Sequence, residues 1–322
     1  MKKLFIAVCV MWVLFFAFSS ARADLLGSAG NYNAFIYGDM NVWTTESLGR
    51  VAAGGNISMY NYGVGSAASP AEYSIVGGGD ILFQQGVVYN GGIFAEGDVT
   101  LSHPTVFGNV TANGAINHTP TDGTITGIKQ AYAGAASPVD FDVEFDYLKW
   151  VSGSLSTMTA NGTTNITPWN AITLTGSSDI NVFSLDVTDI NSAVSLTFNI
   201  GADDVAIVNI SGTGADFSGF GISGYEGKQG NILYNFYGAD LLNIQNIGVK
   251  GSVLAPYANV GFNSAHIDGT LIANSLTGTG EFHQYEFDYN VPVVPEPVSS
   301  ILFLTGGAVF GLRNFRKRIT LN

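Results

Sequence analysis

One alternating phrase sets the pattern of apolar and polar positions in this chain: Gly, any residue, an apolar residue, any residue, Ala. It occurs at residues 49–53 (Gly-Arg-Val-Ala-Ala), 91–95 (Gly-Gly-Ile-Phe-Ala), 108–112 (Gly-Asn-Val-Thr-Ala), 251–255 (Gly-Ser-Val-Leu-Ala) and 269–273 (Gly-Thr-Leu-Ile-Ala). The starts at 49 and 91 lie 42 residues apart, those at 91 and 108 lie 17 apart, and those at 251 and 269 lie 18 apart. One or two turns of a coil of about 17–21 residues give these separations. Alternation puts the central apolar residue and the two small outer ones on one face of a strand. The pattern predicts a β-solenoid, parallel β-helix-like, whose successive rungs each stack on the next about 4.8 Å away. Corners of Gly followed by Asn or Asp recur with the phrase, at 54–57, 78–81, 96–99 and 108–110. Such pairs suit turns.

A different period interrupts this beat. Ser137-Pro138 reads as a helix start, with Ser137 as N-cap and Pro at the first helical position. Asp140, Asp142 and Glu144 follow in the first turns, where the helix dipole favours carboxylates. Phe141, Phe145, Leu148, Val151, Leu155 and Met158 then fall three and four apart, as one apolar stripe. The alternation from Val139 to Tyr147 also permits a strand, but the length of the pattern favours a helix near 138–159. Such a helix would lie along one flank of the solenoid. Short strands resume at 171–174, 194–200 and 205–210, and residues 231–287 close the domain with the last two rungs and an aromatic end.

Composition supports mainly β-structure. Charged residues make up only 11 %, Gly numbers 41, and 21 Phe, 14 Tyr and 4 Trp can fill a sizeable core. The two ends read as addresses rather than structure. Residues 1–23 form a signal peptide: Lys2 and Lys3, an apolar run at 4–18, then Ala21-Arg22-Ala23 as the cleavage site before Asp24. Cys9, the one cysteine, lies inside it, so the mature chain has no disulfide and no cysteine metal ligand. At the other end, a linker at 291–297 carries Pro295-Glu296-Pro297. An apolar run at 298–312 and a basic tail to residue 322 follow. That run is short for a membrane span, and its tail predicts a cytoplasmic C-terminus with the domain outside. Between these ends, residues 24–290 form one domain.

Residues 24–297 hold five basic residues against all 25 acidic ones, a charge of −20. This argues against nucleic acid, which needs basic patches. It admits cation-bridged contact with acidic polysaccharide.

The order of Pro295-Glu296-Pro297, short span and basic tail resembles a PEP-CTERM sorting signal. The resemblance implies a Gram-negative bacterium, transient residence in its inner membrane through 298–312, and cleavage by an exosortase-type enzyme. Tyr37-Gly-Asp39, residues 49–56, residues 251–256 and residues 269–273 are similar to the choice-of-anchor A domain, over roughly residues 30–288. That family implies a surface or adhesive protein carrying one of several anchors, and it supplies no catalytic residues.

The chain nominates no catalytic residue and no cofactor. Gly219 to Gly224 fits G-x-G-x-x-G, but a loop separates it from the preceding strand and no helix follows readily. His103, His118, His266 and His283 show no zinc-site spacing. Asp203-Asp204 and the carboxylates at 140–146 form no linear calcium loop, so the metal assignment stays open, with calcium the cation to test. The leading expectation is an exported, non-enzymatic adhesive or exopolysaccharide-associated protein, whose partners are a polysaccharide or cell-surface ligand and its processing enzyme. One alternative is an ice- or mineral-binding solenoid, although Thr111, Thr124, Thr126 and Thr270 keep no single file. The other is a polysaccharide-active β-helix enzyme with paired carboxylates.

Overall fold

The computed structural model describes residues 25–287 and 289. The expected signal segment with Ala21, Ala23 and Asp24, the motif Pro295-Glu296-Pro297 and the apolar run 298–312 lie outside them. Among the described residues no helix is long and apolar enough to cross a membrane.

The domain is a β-solenoid with three parallel faces, as the alternating phrase requires. The first face carries the central phrases. Its strands lie in the order Ile180–Asp186, Val205–Ser211, Ile232–Phe236, Ser252–Asn263, Leu271–Gly278, Ala34–Ile36, Val51–Ala53, Tyr73–Gly77, Gly92–Ala95, Val110–Ala112 and Lys129–Ala131. One inward file runs Phe183, Val208, Tyr234, Val253, Leu271, Ala34, Val51, Ile75, Ile93 and Val110, every member fully buried. Burying each large aliphatic or aromatic side chain contributes roughly 1.5–3 kcal/mol, so this ladder is a main source of cohesion in a domain without disulfides.

The order of stacking corrects the expectation that each rung sits on the next in sequence. The first strand, Ala34–Ile36, lies between Leu271–Gly278 and Val51–Ala53, with Ala34 abreast of both Leu271 and Val51. The N-terminal coils grow away from this seam in one direction and the C-terminal coils in the other. Residues 281–287 are therefore not an aromatic end: Phe282 pairs with Ser47 at the seam, and both Phe282 and Phe287 are buried.

The second face runs Gly214–Ser218, Leu241–Gln245, the later halves of the two long strands, Met40–Trp43, Ile57–Tyr60, Ile81–Gln84, Val99–Ser102 and Ile116–His118. The third runs Gly248–Lys250, His266–Asp268, Glu281–His283, Glu46–Ser47, Gly63–Val64, Val87–Val88, Thr105–Val106 and Thr124–Ile125. A separate four-stranded sheet comprises Thr163–Ile166, Ala171–Thr175, Ser195–Asn199 and Gly221–Ser223.

The corner between the first and second faces explains the Gly-Asx signal. Asp39 Oδ1 accepts from the Asn56 N–H, Asn56 Oδ1 from Asp80, Asp80 Oδ1 from Asp98, and Asp98 Oδ1 from Ala115, at 2.7–2.9 Å. A side chain at Gly97 would collide with Asp80 Oδ1, so the glycine gives the neighbouring coil's carboxylate room to reach in. Gly108-Asn109 belongs to another corner. It precedes the first face, where Asn109 Oδ1 accepts from the Ile128 N–H at 2.9 Å. The corner between the second and third faces uses a left-handed residue in six of the coils: Thr44, Asn61, Gln85, His103, Asn246 and Ser264, with φ from 49° to 59°.

Helix α1 (Phe141–Ser156) lies along the outside of the first face. The stripe is correct and its start is not: Asp140, not Ser137, is the N-cap, its Oδ1 accepting from Val143 N–H at 3.2 Å. Met158 lies past the helix end. Phe141 and Phe145 each stack on Phe35 at 5.5 Å. The covered side is partly polar: Ser152 Oγ donates to Asn235 Oδ1 at 2.6 Å, Asn235 Nδ2 to Asn209 Oδ1 at 2.8 Å, and Asn209 Nδ2 to the Leu155 carbonyl at 2.7 Å. A second helix, α2 (Val187–Ser192), is too short to show an apolar stripe. Its signal is the capping box of Asp186 with Asp189.

Candidate functional site

Four of the acidic residues that stand out in the sequence serve structure. Asp140 caps α1, Asp142 accepts from the Tyr37 hydroxyl at 2.8 Å, Glu144 from Ser28 at 2.6 Å, and Asp204 from the Gly201 N–H at 2.8 Å. The G-x-G-x-x-G stretch supplies the edge strand Gly221–Ser223 of the four-stranded sheet, followed by a 3₁₀ turn at Gln229–Asn231. His103 pairs with Asp122, and His118 with Lys129, far from the other two histidines in sequence.

His266 and His283 do come together, at the seam on the third face. Parallel register sets His266 beside Glu281 and Asp268 beside His283. His266, Asp268 and His283 offer three ligand atoms within 4.8 Å of one another, the combination that the linear spacing failed to signal. Asp268 is only 4 % exposed. Its carboxylate meets Lys250 Nζ at 2.8 Å and His283 Nδ1 at 2.7 Å, while Lys250 Nζ also reaches His266 Nε2 at 2.8 Å. Burial, then the Lys250 charge, holds the His266 pKa below 6.5, which keeps its ring neutral and able to accept from the ammonium. A metal here would compete with Lys250 for the same lone pairs. The cluster is thus already a closed charge network joining three coils.

Beside it an open cleft of about 390 Å³ is lined by Thr44, Thr45, Glu46, Asn61, Tyr62, Gln85, Tyr89 and Glu281, among others. Tyr62 is buried, and its hydroxyl has no hydrogen-bond partner among the described residues. Burial, with smaller contributions from Glu281 and Glu46, pushes its pKa far up, so it stays neutral.

The second face presents an outward surface nine strands long. Its outward file runs Asp216, Asn243, Gly261, Thr277, Asn41, Ser58, Leu82, Thr100 and Asn117. A neighbouring file adds Ser218, Gln245, Asn263, Trp43, Tyr60, Gln84 and Ser102. Asp216 is the one charged residue among these positions, in a chain with 25 acidic residues. At about 4.8 Å per strand, nine strands span roughly 40 Å. The four-stranded sheet presents a smaller uncharged array, Thr163, Asn165, Thr173, Thr175, Ser195, Thr197, Asn199 and Ser223, on its outer side. The regular threonines absent from the expected file are here, brought abreast by register.

Three solved structures are similar to the chain. The ice-binding protein of the Antarctic ascomycete Antarctomyces psychrotrophicus shares 13 % identity over 82 % of this chain and 98 % of its own, with a TM-score of 0.30. The DUF3494 domain of Shewanella frigidimarina ice-binding protein 1 shares 17 % over 80 % and 95 %, with a TM-score of 0.36. An ice-binding protein from an Antarctic Flavobacteriaceae bacterium shares 11 % over 81 % and 97 %, with a TM-score of 0.30. No curated protein matches the sequence. Residues 25–284 match the family described as "Putative Ice-binding-like adhesive domain", and the chain belongs to that family.

Proposed function

We propose that this domain is an exported, non-catalytic binding module that adsorbs to ice through its second face. The observation that carries the reading is the near absence of charge across nine abreast strands, whose central file is mostly small polar side chains, with the rings of Trp43 and Tyr60 confined to the file beside it. Ice presents a neutral, periodic surface. A stiff sheet can meet it with many weak contacts at fixed spacing, and multivalency then supplies the strength. A face dense in carboxylates would instead hold its own hydration water. The family description supports this reading together with an adhesive one.

Ice recrystallisation and thermal hysteresis of the purified protein test it. Thr277→Tyr and Ser58→Tyr, which raise a ring from the middle of the face, are expected to abolish both effects while unfolding stays unchanged. Thr173→Tyr, on the four-stranded sheet, is expected to leave them intact. A folded protein inactive on ice, or one indifferent to Thr277→Tyr, overturns the proposal.

The adhesive reading, attachment to extracellular polysaccharide, is favoured by exposed rings suited to stacking on sugars: Trp169 at 81 %, Tyr60 at 48 % and Tyr89 at 39 % exposure. It agrees with the resemblance to the choice-of-anchor A domain. Retention of the protein on polymer from its host, without release of reducing ends, separates it from both ice binding and glycan cleavage.

A further inference from the structure

The corner between the second and third faces walls one side of the open cleft. Thr44, Asn61 and Gln85 hold the same corner position in three adjacent coils, the Thr44 N–H donating to the Tyr60 carbonyl and the Asn61 N–H to the Gln84 carbonyl. Their side chains line the cleft, are exposed, and have no hydrogen-bond partner among the described residues. On the third face the outward position of Gly63 is bare. A Cβ there would lie 3.5 Å from Glu46 Oε2 and 3.6 Å from Tyr89 Cε2, so a carboxylate and an exposed ring flank one uncovered spot. Phe107, half exposed, follows on the next coil, its N–H donating to the Val88 carbonyl. Glu281 adds a second carboxylate to the lining. Ser66 takes one oxygen of Glu46 at 3.3 Å and His283 Nε2 one of Glu281 at 3.0 Å, which leaves the other oxygen of each to accept from a ligand.

We propose that this cleft binds a neutral glycan, with a pyranose ring laid against Tyr89 and its hydroxyls bonded to Glu46, Asn61 and Gln85. A sugar has an apolar C–H face and a rim of hydroxyls, which matches one ring beside a few convergent polar groups. The amides both donate and accept, and a hydroxyl donating to a carboxylate makes a strong, charge-assisted bond. The cleft's volume of about 390 Å³ sits at the small end of ligand pockets, roughly 300–1,000 Å³, which suits a short stretch of a longer chain. A peptide has no strand edge to join here, because Glu46–Ser47, Gly63–Val64 and Val87–Val88 each pair on both sides. Two carboxylates in the cleft, within residues 24–297 of charge −20, repel an acidic polymer. The proposal rests on the adhesive reading and gives it a site separate from the uncharged file of the second face.

The test is affinity electrophoresis of the purified protein in gels containing dextran, laminarin or galactomannan, all neutral, or alginate, which is acidic. Expected is retardation by at least one neutral polymer and none by alginate. Tyr89→Ala should weaken that binding by at least about tenfold with the unfolding temperature unchanged, whereas Tyr89→Phe, which keeps the ring, should bind as wild type does. Glu46→Gln should weaken it about three- to tenfold, since a neutral acceptor replaces a charged one. Trp169→Ala, in a loop of the four-stranded sheet, should change nothing. Retardation that survives both Tyr89→Ala and Glu46→Gln overturns the proposal, as does retardation by alginate alone. Retention on host polymer that Tyr89→Ala leaves untouched overturns the cleft while the adhesive reading stands. A wild type retained by neither host polymer nor the three neutral polymers overturns both.

Discussion

Gly97 lacks a side chain because the Asp80 carboxylate of the neighbouring coil fills the space a Cβ would take. Gly97→Ala is therefore expected to cost about 1–3 kcal/mol, through a clash in a close-packed corner, measured as a shift in denaturant midpoint. The Gly-Asx corner was legible in sequence because its chemistry needs those two residue types. The corner between the second and third faces was not: Thr44, Gln85, His103 and Ser264 adopt left-handed angles with no glycine to announce them. His266 gives a second prediction. With its folded-state pKa held below 6.5, the unfolded chain takes up this proton first as pH falls. The contribution of His266 to stability is thus fully present above about pH 6.5 and declines as pH drops below it. His266→Asn should flatten that part of a stability-versus-pH profile, and a wild-type profile that rises on acidification from about pH 7 to pH 5 would contradict the assignment.

Helix α1 was legible as a stripe because its burial follows the 3.6-residue period, with Phe141, Phe145, Leu148, Val151 and Leu155 all facing the sheet. Its start was misplaced because Ser-Pro and Asp140 both satisfy cap chemistry, and only tertiary structure chose between them. What no pattern could show is the polar strip beneath it. Ser152, Asn235 and Asn209 are buried and hydrogen-bonded only to one another and to nearby backbone. Asn235→Ala should lower stability by about 2–3 kcal/mol, because it leaves Ser152 and Asn209 buried with unmet bonds. The paired change Ser152→Ala with Asn235→Ala should cost less than the sum of the two single changes, which urea titration of all three variants can read.

At the scale of the whole molecule, the parallel coils were readable and their order was not, since identical rungs carry no mark of which neighbour they will choose. Val253 and Leu271 sit abreast in the inward file, and Leu271 also touches the first strand through Ala34. Val253→Asp and Leu271→Asp should each abolish folding, seen as loss of the β circular-dichroism signal, because an unpaired charge would enter the core. For the ends, mass spectrometry of protein recovered from its host is expected to find Asp24 first and no peptide beyond the 298–312 run. An intact basic tail on released material would refute the sorting proposal. The seam also sets a timetable for making the protein. The strand Ala34–Ile36 is among the first to leave the ribosome, yet one of its two neighbours is the segment Leu271 to Ala273. Until then the opening coil presents a bare, unpaired edge, and pairing so remote in sequence is slow and exposed to misassembly. A nascent chain of this design cannot finish folding as it is made. Its last coil is the one that closes the first.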